Sequence, residues 1–289
     1  MPRLARMLGG LFARDKPGRG LLVAGLALIL VFIVMAVFAP WIAPYGPTEV
    51  SVPPEQAGTP QPPSREHLFG TDKLGYDIFS RVVWGSRVVL YVVALSAIAS
   101  MAVGVPLGLV SGYYGGRVDR VLSMVMDSIY AFPGIVLALA VASVLGASPT
   151  NAAIALSVVY VPTFYRMVRG QTLEVRESLY IEAAKALGYS DSRIMVRHVL
   201  PNVAPTILVV FGLAATDAIL TEAGLAFFGL TVSYPSPDWG LDLRMGFQFV
   251  AQGVWWPTLF PGLAITLLAL GFALVGEGLG ERYSIRTER

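Results

Sequence analysis

The chain of 289 residues has no cysteine, which excludes disulfide scaffolds and thiolate metal sites. Its two histidines, His67 and His198, lie far apart and form no ligand-spaced cluster. Charge is scarce: 14% of residues are Asp, Glu, Lys or Arg, against about 25% in a soluble globular domain. The net charge is only +2, so there is no basic footprint for nucleic acid. No G-x-x-x-x-G-K-[ST] phosphate loop occurs, and with it goes any recognisable means of holding ATP. No H-E-x-x-H zinc pair and no nucleophile elbow occur either. The sequence therefore offers no catalytic residues, no metal site and no cofactor site of its own.

Apolar residues are what it has instead. They make up 55% of the chain, and the mean hydropathy is +0.65. So little polar surface cannot cover a water-facing body of this length, and the composition indicates an all-α, polytopic membrane protein. A spanning helix needs roughly 20 mostly apolar residues. Six runs approach that length: Leu21–Ala39, Val88–Val110 with Pro106 inside, Val121–Ala147 with Asp127 and Pro133 inside, Ala152–Val168, Val203–Leu230 with Asp217 and Glu222 inside, and Val254–Val275. The prolines predict kinks, whose freed backbone groups neighbouring helices must satisfy. The first run exceeds the 7–15 residues of a signal-peptide core and is followed by bulky Trp41 and Ile42, so it reads as a retained anchor.

With both termini placed inside, sixteen of the twenty-one Lys and Arg residues fall on the inner side. This is the bias expected of cytoplasmic segments. The chain then divides into an N-terminal segment with the first span (1–43), an outer segment (44–86), a five-helix core (87–280) and a cytoplasmic tail (281–289). The outer segment opens on a proline-rich stretch (Pro47, Pro53, Pro54, Pro60, Pro62, Pro63), which predicts an extended, poorly packed connector. A second outer segment, Thr231–Gly253, carries Pro235, Pro237 and Trp239. Trp41, Tyr45, Trp255 and Trp256 read as interfacial belt residues.

The informative inner segment is 171–202. Leu173–Leu187 holds good helix formers, with Glu182 and Lys185 three apart on one face. Ala183 and Ala184 are small enough for a partner to approach closely. Gly188 suits a left-handed helix stop. Ser190 is placed to cap a second short helix with Asp191 in its first turn. Met195 and Val199 lie four apart on that helix, near Val196 and Leu200, while Arg193 and Arg197 form a separate basic stripe. Pro201 is placed to start the next span. The segment therefore reads as helix, glycine corner, short amphipathic helix; taken alone, this pattern also suits a loop that merely packs on its own bundle.

Glu182-Ala183-Ala184, three residues, Gly188, and the ending His198-Val199-Leu200-Pro201 resemble the EAA loop of ATP-binding-cassette (ABC) importer permeases, with His198 at the usual isoleucine position. The stretch His67-Leu68-Phe69-Gly70-Thr71-Asp72-Lys73-Leu74-Gly75-Tyr76-Asp77 with Ser80-Arg81 is similar to the dipeptide/oligopeptide branch, as is Phe227-Phe228-Gly229-Leu230 running to Pro235, Pro237, Trp239 and Gly240. Tyr76 stands where that branch usually has Arg. The resemblance implies a type I ABC importer permease fold. It implies a homologous second permease, two ABC ATPase subunits that hold ATP and Mg, and an extracellular substrate-binding protein. Glu182–Pro201 would be the coupling loop docked on the ATPase. Peptides are the default cargo; oligosaccharides and nickel chelates are carried by relatives. Asp127, Asp217 and Glu222 are candidates for the translocation path, since ionisable groups within spans usually face a bundle interior or a water-filled cavity; pairing with a neighbouring helix is the competing role. An ion-driven secondary transporter would also use such carboxylates, but would leave the EAA-type loop without a purpose.

Overall fold

The computed structural model describes residues 17–53 and 58–284. Arg3, Arg6, Arg14 and Lys16, expected to mark the inner side, and the tail residues Arg286 and Arg289 lie outside the described residues. The described chain is helical, with one isolated bridge between Thr71 and Asp77. The helices are α1 (Arg19–Val37), α2 (Ala39–Ile42), α3 (Ile78–Tyr114), α4 (Gly116–Tyr130), α5 (Gly134–Leu145), α6 (Pro149–Arg176), α7 (Leu179–Ala186), α8 (Asp191–Ile194), α9 (Leu200–Phe227), α10 (Trp239–Phe247) and α11 (Trp256–Ser284). A π-turn, Met195–Val199, joins α8 to α9 without a break, so Asp191–Phe227 is one helix of 37 residues.

Four of these helices are long and apolar enough to cross a membrane: α1, α3, the joined α8–α9 and α11. The number is five if the bent pair α4 and α5 counts as one broken span. The break falls at Phe132–Pro133 and turns the axis by 86°. Proline lacks the N–H that would continue the ladder and disfavours helix in the residue before it, so the expected run 121–147 is a sharp corner and not a straight rod. The expected run 152–168 lies in α6, which has 28 residues but falls short in apolarity. Its Leu156, Phe164, Tyr165 and Val168 are buried among other helices. A helix enclosed by protein need not present a lipid-grade surface.

Packing explains several residues that carry no chemistry. The most extensive contact joins α3 to α6. Gly104, Gly108 and Gly112 lie four apart along α3, and a Cβ on any of them would come within 2.7–2.8 Å of an α6 backbone oxygen (Val161, Tyr165 and Arg169 in turn). This small-x-x-x-small stripe brings the two backbones together where lipid offers no hydrophobic drive to hold helices. On α1, Leu22, Gly25, Ile29, Phe32 and Ala36 are buried at spacings of three and four, and this stripe faces α11. Most of the remaining large side chains of α1, among them Leu30, Val31 and Val34, are exposed, as a lipid-facing surface requires.

The bundle has two ends. One carries residues 44–53, 58–77 and 231–253; the other carries the turn at Gly115 and residues 177–199. At the first end α3 begins at Ile78, earlier than the expected boundary at 86. Asp77 caps it, accepting from the Ser80 N–H at 2.8 Å. The segment after the prolines is not a loose connector: His67, Thr71 and Asp77 are buried there, with His67 Nδ1 3.1 Å from Asp77 Oδ1.

Candidate functional site

The expected loop is present as two short helices around a glycine, and the contacts beneath it define which face is free. Arg176, at the end of α6, donates to the Gly112 and Tyr113 carbonyls of α3 at 3.3 and 3.2 Å. The chain reverses over Glu177 and Ser178 and enters α7. On α7, Ile181 and Ala184 are buried, whereas Leu179, Tyr180, Glu182, Ala183 and Lys185 are exposed. The two alanines therefore do different work. Ala183 stands on the open face, and Ala184 fills the contact with the bundle.

Gly188 ends α7 at φ +76°. Its N–H reaches the Lys185 carbonyl at 2.9 Å, and the next N–H, of Tyr189, reaches the Ala184 carbonyl at 3.2 Å. This is a Schellman stop, which a left-handed glycine closes at least cost. Ser190 then sits at the N-cap position of α8 but makes no side-chain cap bond. Asp191 has a different task from the first-turn charge expected of it: it accepts from the Tyr113 hydroxyl at 2.8 Å, tying the loop to the end of α3. Lys185 Nζ lies 5.3 Å from the same Tyr113 ring. Arg193 covers the Tyr189 ring at 4.4 Å, and the His198 ring stacks with that of Tyr189 with centroids 5.9 Å apart.

The second helix departs most from expectation. It is not a separate amphipathic helix but the head of α9. Ile194 and Val199 are fully buried, joining Ile181, Ala184, Leu109, Tyr113, Val168, Val203 and Ile207 in one apolar cluster, with Leu200 packed at its edge. Pro201 follows the π-turn inside this continuous helix, where its missing N–H leaves one rung of the ladder unmade next to the widened turn. Glu182, Ala183, Gly188, Arg193, Val196 and Arg197 all face out, beside exposed Leu179 and Leu187. The outer surface is thus a mixed apolar and charged patch on a base fused to three long helices. Tyr113 and Tyr189 were not singled out from sequence, although an aromatic at the end of a span is a usable signal.

The other end gathers the second and third motifs. Arg81, near the start of α3, donates through Nε to Asp242 Oδ1 at 2.9 Å and through Nη1 to the Pro235 carbonyl at 2.9 Å. Its guanidinium lies over the rings of both Tyr76 (5.3 Å) and Tyr234 (5.0 Å), which meet each other edge to face at 5.5 Å. Tyr76, the departure from the branch pattern, is therefore one of two aromatic contacts of this cation. The Tyr234 hydroxyl donates to Asp72 at 3.0 Å, and burial, reinforced by that carboxylate, pushes the phenol's pKa up. The Trp239 indole donates to the Val82 carbonyl at 2.9 Å, and that of Trp256 to the Thr71 carbonyl at 3.2 Å. Trp256 is a buried pin and not a belt residue; Trp41 and Trp255 remain exposed.

The three candidate path acids separate. Asp127 is exposed and bonded to Arg166 Nη2 at 2.8 Å, beside the Tyr130 ring that Arg166 covers at 3.8 Å. Asp217 is exposed on α9. Glu222 is fully enclosed, and neither of its oxygens has a hydrogen-bond partner. The groups brought to it are Thr231 and Asp238, with which it interacts electrostatically. Asp238 caps α10, accepting from the Gly240 N–H at 2.9 Å, and burial with Asp242 close by pushes its pKa up to about 6. Among the described residues no group of three or more His, Cys, Asp or Glu could hold a metal ion.

Known proteins share this arrangement. The family described as the binding-protein-dependent transport system inner membrane component matches residues 104–286. The N-terminal transmembrane domain of oligopeptide transport permease C matches residues 20–63. The dipeptide transport system permease protein DppC of Alkalihalophilus pseudofirmus is 42% identical over 90% of this chain and 84% of its own length. The probable D,D-dipeptide transport system permease protein DdpC of Escherichia coli is 39% identical over 91% and 86%. A chain of the MetNI methionine ABC transporter, solved in inward-facing form, superposes with a TM-score of 0.54 at 20% identity, covering 69% of this chain and 94% of that one.

Proposed function

The chain belongs to the family of binding-protein-dependent transport system inner membrane components, the permeases of ABC importers, and from that premise we propose that it forms one half of the membrane channel of an ATP-driven peptide importer. The observation that carries the reading is the 177–199 patch, whose outer face is free and whose inner face is locked into the bundle. A homologous permease completes the channel, one of the two ATPases docks on this patch and the other on the second permease, and a binding protein delivers cargo to the opposite end. ATP and Mg act in the partners. Both termini and the patch lie in the cytoplasm, as the distribution of Lys and Arg requires.

Closure of the ATPase pair pushes on the patch. Because Ile181, Ala184, Ile194 and Val199 are packed against α3, α6 and α9, the push cannot be absorbed within the loop. It passes into the helix Asp191–Phe227, which at 1.5 Å per residue reaches about 55 Å. That helix ends beside α10, so one rigid element links the ATPase side to the outer gate. Asp127 and Asp217, on open faces, are the acids of this chain placed to line the path; Glu222 belongs to the gate. Peptide is the cargo because the similar permeases are named for dipeptides.

The test is uptake by the assembled transporter in proteoliposomes with labelled dipeptides, oligosaccharides and a nickel chelate supplied in turn. ATP-dependent accumulation of peptide alone is expected. Glu182→Lys places a wrong charge on the docking face, where like-charge juxtaposition can cost several kcal/mol, and should release the ATPases or leave hydrolysis without import. Normal peptide import by that variant would refute the docking role, and import of sugar or nickel alone would refute the cargo.

A further inference from the structure

The gate end of α9 holds polar groups that docking and transport do not account for. Glu222 Oε1 and Oε2, Asp238 Oδ2 and Thr231 Oγ1 are buried together without hydrogen-bond partners as placed. Contact between their helices is direct: a Cβ on Gly240 would overlap the Ala223 carbonyl, the residue after Glu222. Two enclosed carboxylates facing each other cannot both be ionised at tolerable cost, since an unpaired buried charge is among the most expensive groups in a fold. No neighbouring cation relieves them. Arg81, on α3, is committed to Asp242 Oδ1 and to the Pro235 and Ser236 carbonyls. Asp242, one turn along α10, adds negative charge. Asp72 and Tyr234, from the flanking loops, are bonded to each other. Asp217 is exposed on α9 itself, and α5 and the first five turns of α11 bring no charged residue.

We propose that Glu222 and Asp238 share one proton, forming a carboxylic acid–carboxylate latch that fastens the extracellular helix α10 to the fifth span. The proton resides on Glu222, which donates to Asp238 Oδ2. Asp238 is the better anion of the two, because its Oδ1 already receives the N–H groups of Gly240 and Leu241 at the positive end of α10. Thr231 then donates its hydroxyl to the remaining Glu222 oxygen, and each orphaned atom acquires a partner. Withdrawal of the proton leaves two facing carboxylates, and α10 lifts from α9. The latch is a proton-binding site in the outer gate, and it stands independently of the cargo and of ATPase docking.

The sign follows from the pair as a unit, whose shared proton is held above the ordinary carboxyl range by burial. A group raised in this way contributes stability at low pH that is lost as pH rises through the folded value. The wild-type transporter in proteoliposomes should therefore show an infrared C=O band of a protonated carboxyl that shifts in D2O and disappears as pH rises. Hydrogen exchange across 231–247, corrected for its intrinsic pH dependence, should accelerate over the same range by up to about tenfold per pH unit. In Glu222→Gln the amide replaces the protonated acid and donates to Asp238 at every pH, so the band should be absent and the exchange profile flat. Asp238→Asn keeps the cap oxygen and can donate to Glu222, so its profile should also be flat. A wild-type spectrum without the band overturns the proposal, and so does a wild-type pH profile retained by either variant. Protection restored at high pH by sodium, potassium, magnesium or calcium would show that the site holds a cation, and would overturn it equally. If Glu222→Gln fails to assemble, the wild-type band and the Asp238→Asn profile decide.

Discussion

At the residue scale, Gly188 illustrates a position chosen for its backbone alone. A Cβ there would meet nothing within 4 Å, yet φ is +76°. A larger residue is therefore penalised only through the left-handed conformation, at about 1–2 kcal/mol. Gly188→Val should leave insertion into the membrane intact and misdirect α8. The variant should lose the ATPases during purification, or retain them and hydrolyse ATP without uptake. Unchanged uptake would mean that the corner has no role in coupling. Arg81 is the opposite kind of residue, fixed entirely by its contacts. Removing it strands Asp242 in a buried site, and breaking a buried pair costs about 3–5 kcal/mol. Arg81→Ala should lower the thermal midpoint in detergent and expose 231–247 to protease. A midpoint equal to wild type would show that the pair contributes nothing.

At the scale of elements, the contact of α3 with α6 is set by Gly104, Gly108 and Gly112. Gly108→Leu would drive a side chain into the Tyr165 carbonyl, and a backbone atom cannot rotate aside. Overpacking typically costs about 1–3 kcal/mol where side chains can give, so this variant should exceed that range and reduce the yield of folded protein severalfold. Gly170 on α6, which has no neighbour within 4 Å of its would-be Cβ, is the control: Gly170→Ala should express like wild type. Equal yields from both variants would contradict the close seam. The same scale explains α8 and α9. Read residue by residue, Asp191–Val199 looks like a separate amphipathic helix. In the fold it continues through the π-turn into the fifth span, since burial of Ile194 and Val199 against the cluster under α7 keeps the axis unbroken.

For the whole molecule, the proposed function assigns different partners to the two ends, with the membrane between them. Single cysteines at Thr59 and Ser190, both exposed, should react with an impermeant maleimide from opposite sides of intact vesicles. The chain has no native cysteine to confuse the result. Labelling of both from one side would overturn the orientation. Placed this way, the continuous helix Asp191–Phe227 runs from the patch proposed for docking to the carboxyl pair beneath α10.

Composition and the spacing of apolar runs were enough to establish an all-α membrane protein, because a bilayer forces every backbone bond inward and demands long apolar stretches. The glycine corner was equally legible, since a left-handed stop depends on local backbone sterics. The motif from Glu182 to Pro201 marked the loop proposed for docking, but not which of its faces is free. Alternation along a sequence shows that a helix has two sides, and only the packing of Ala184 and Ile194 against α3, α6 and α9 decides which one is buried. The enclosed α6 was marginal for a related reason, as apolarity reports contact with lipid and not contact with protein. The pairings of Arg81 with Asp242 and of Glu222 with Asp238 lay beyond any local reading. Their partners are separated by 161 and 16 residues of chain, and what joins them is the meeting of α3, α9 and α10 in space. Burial sets these carboxylates apart from ordinary surface ones, and burial is a property of the fold alone.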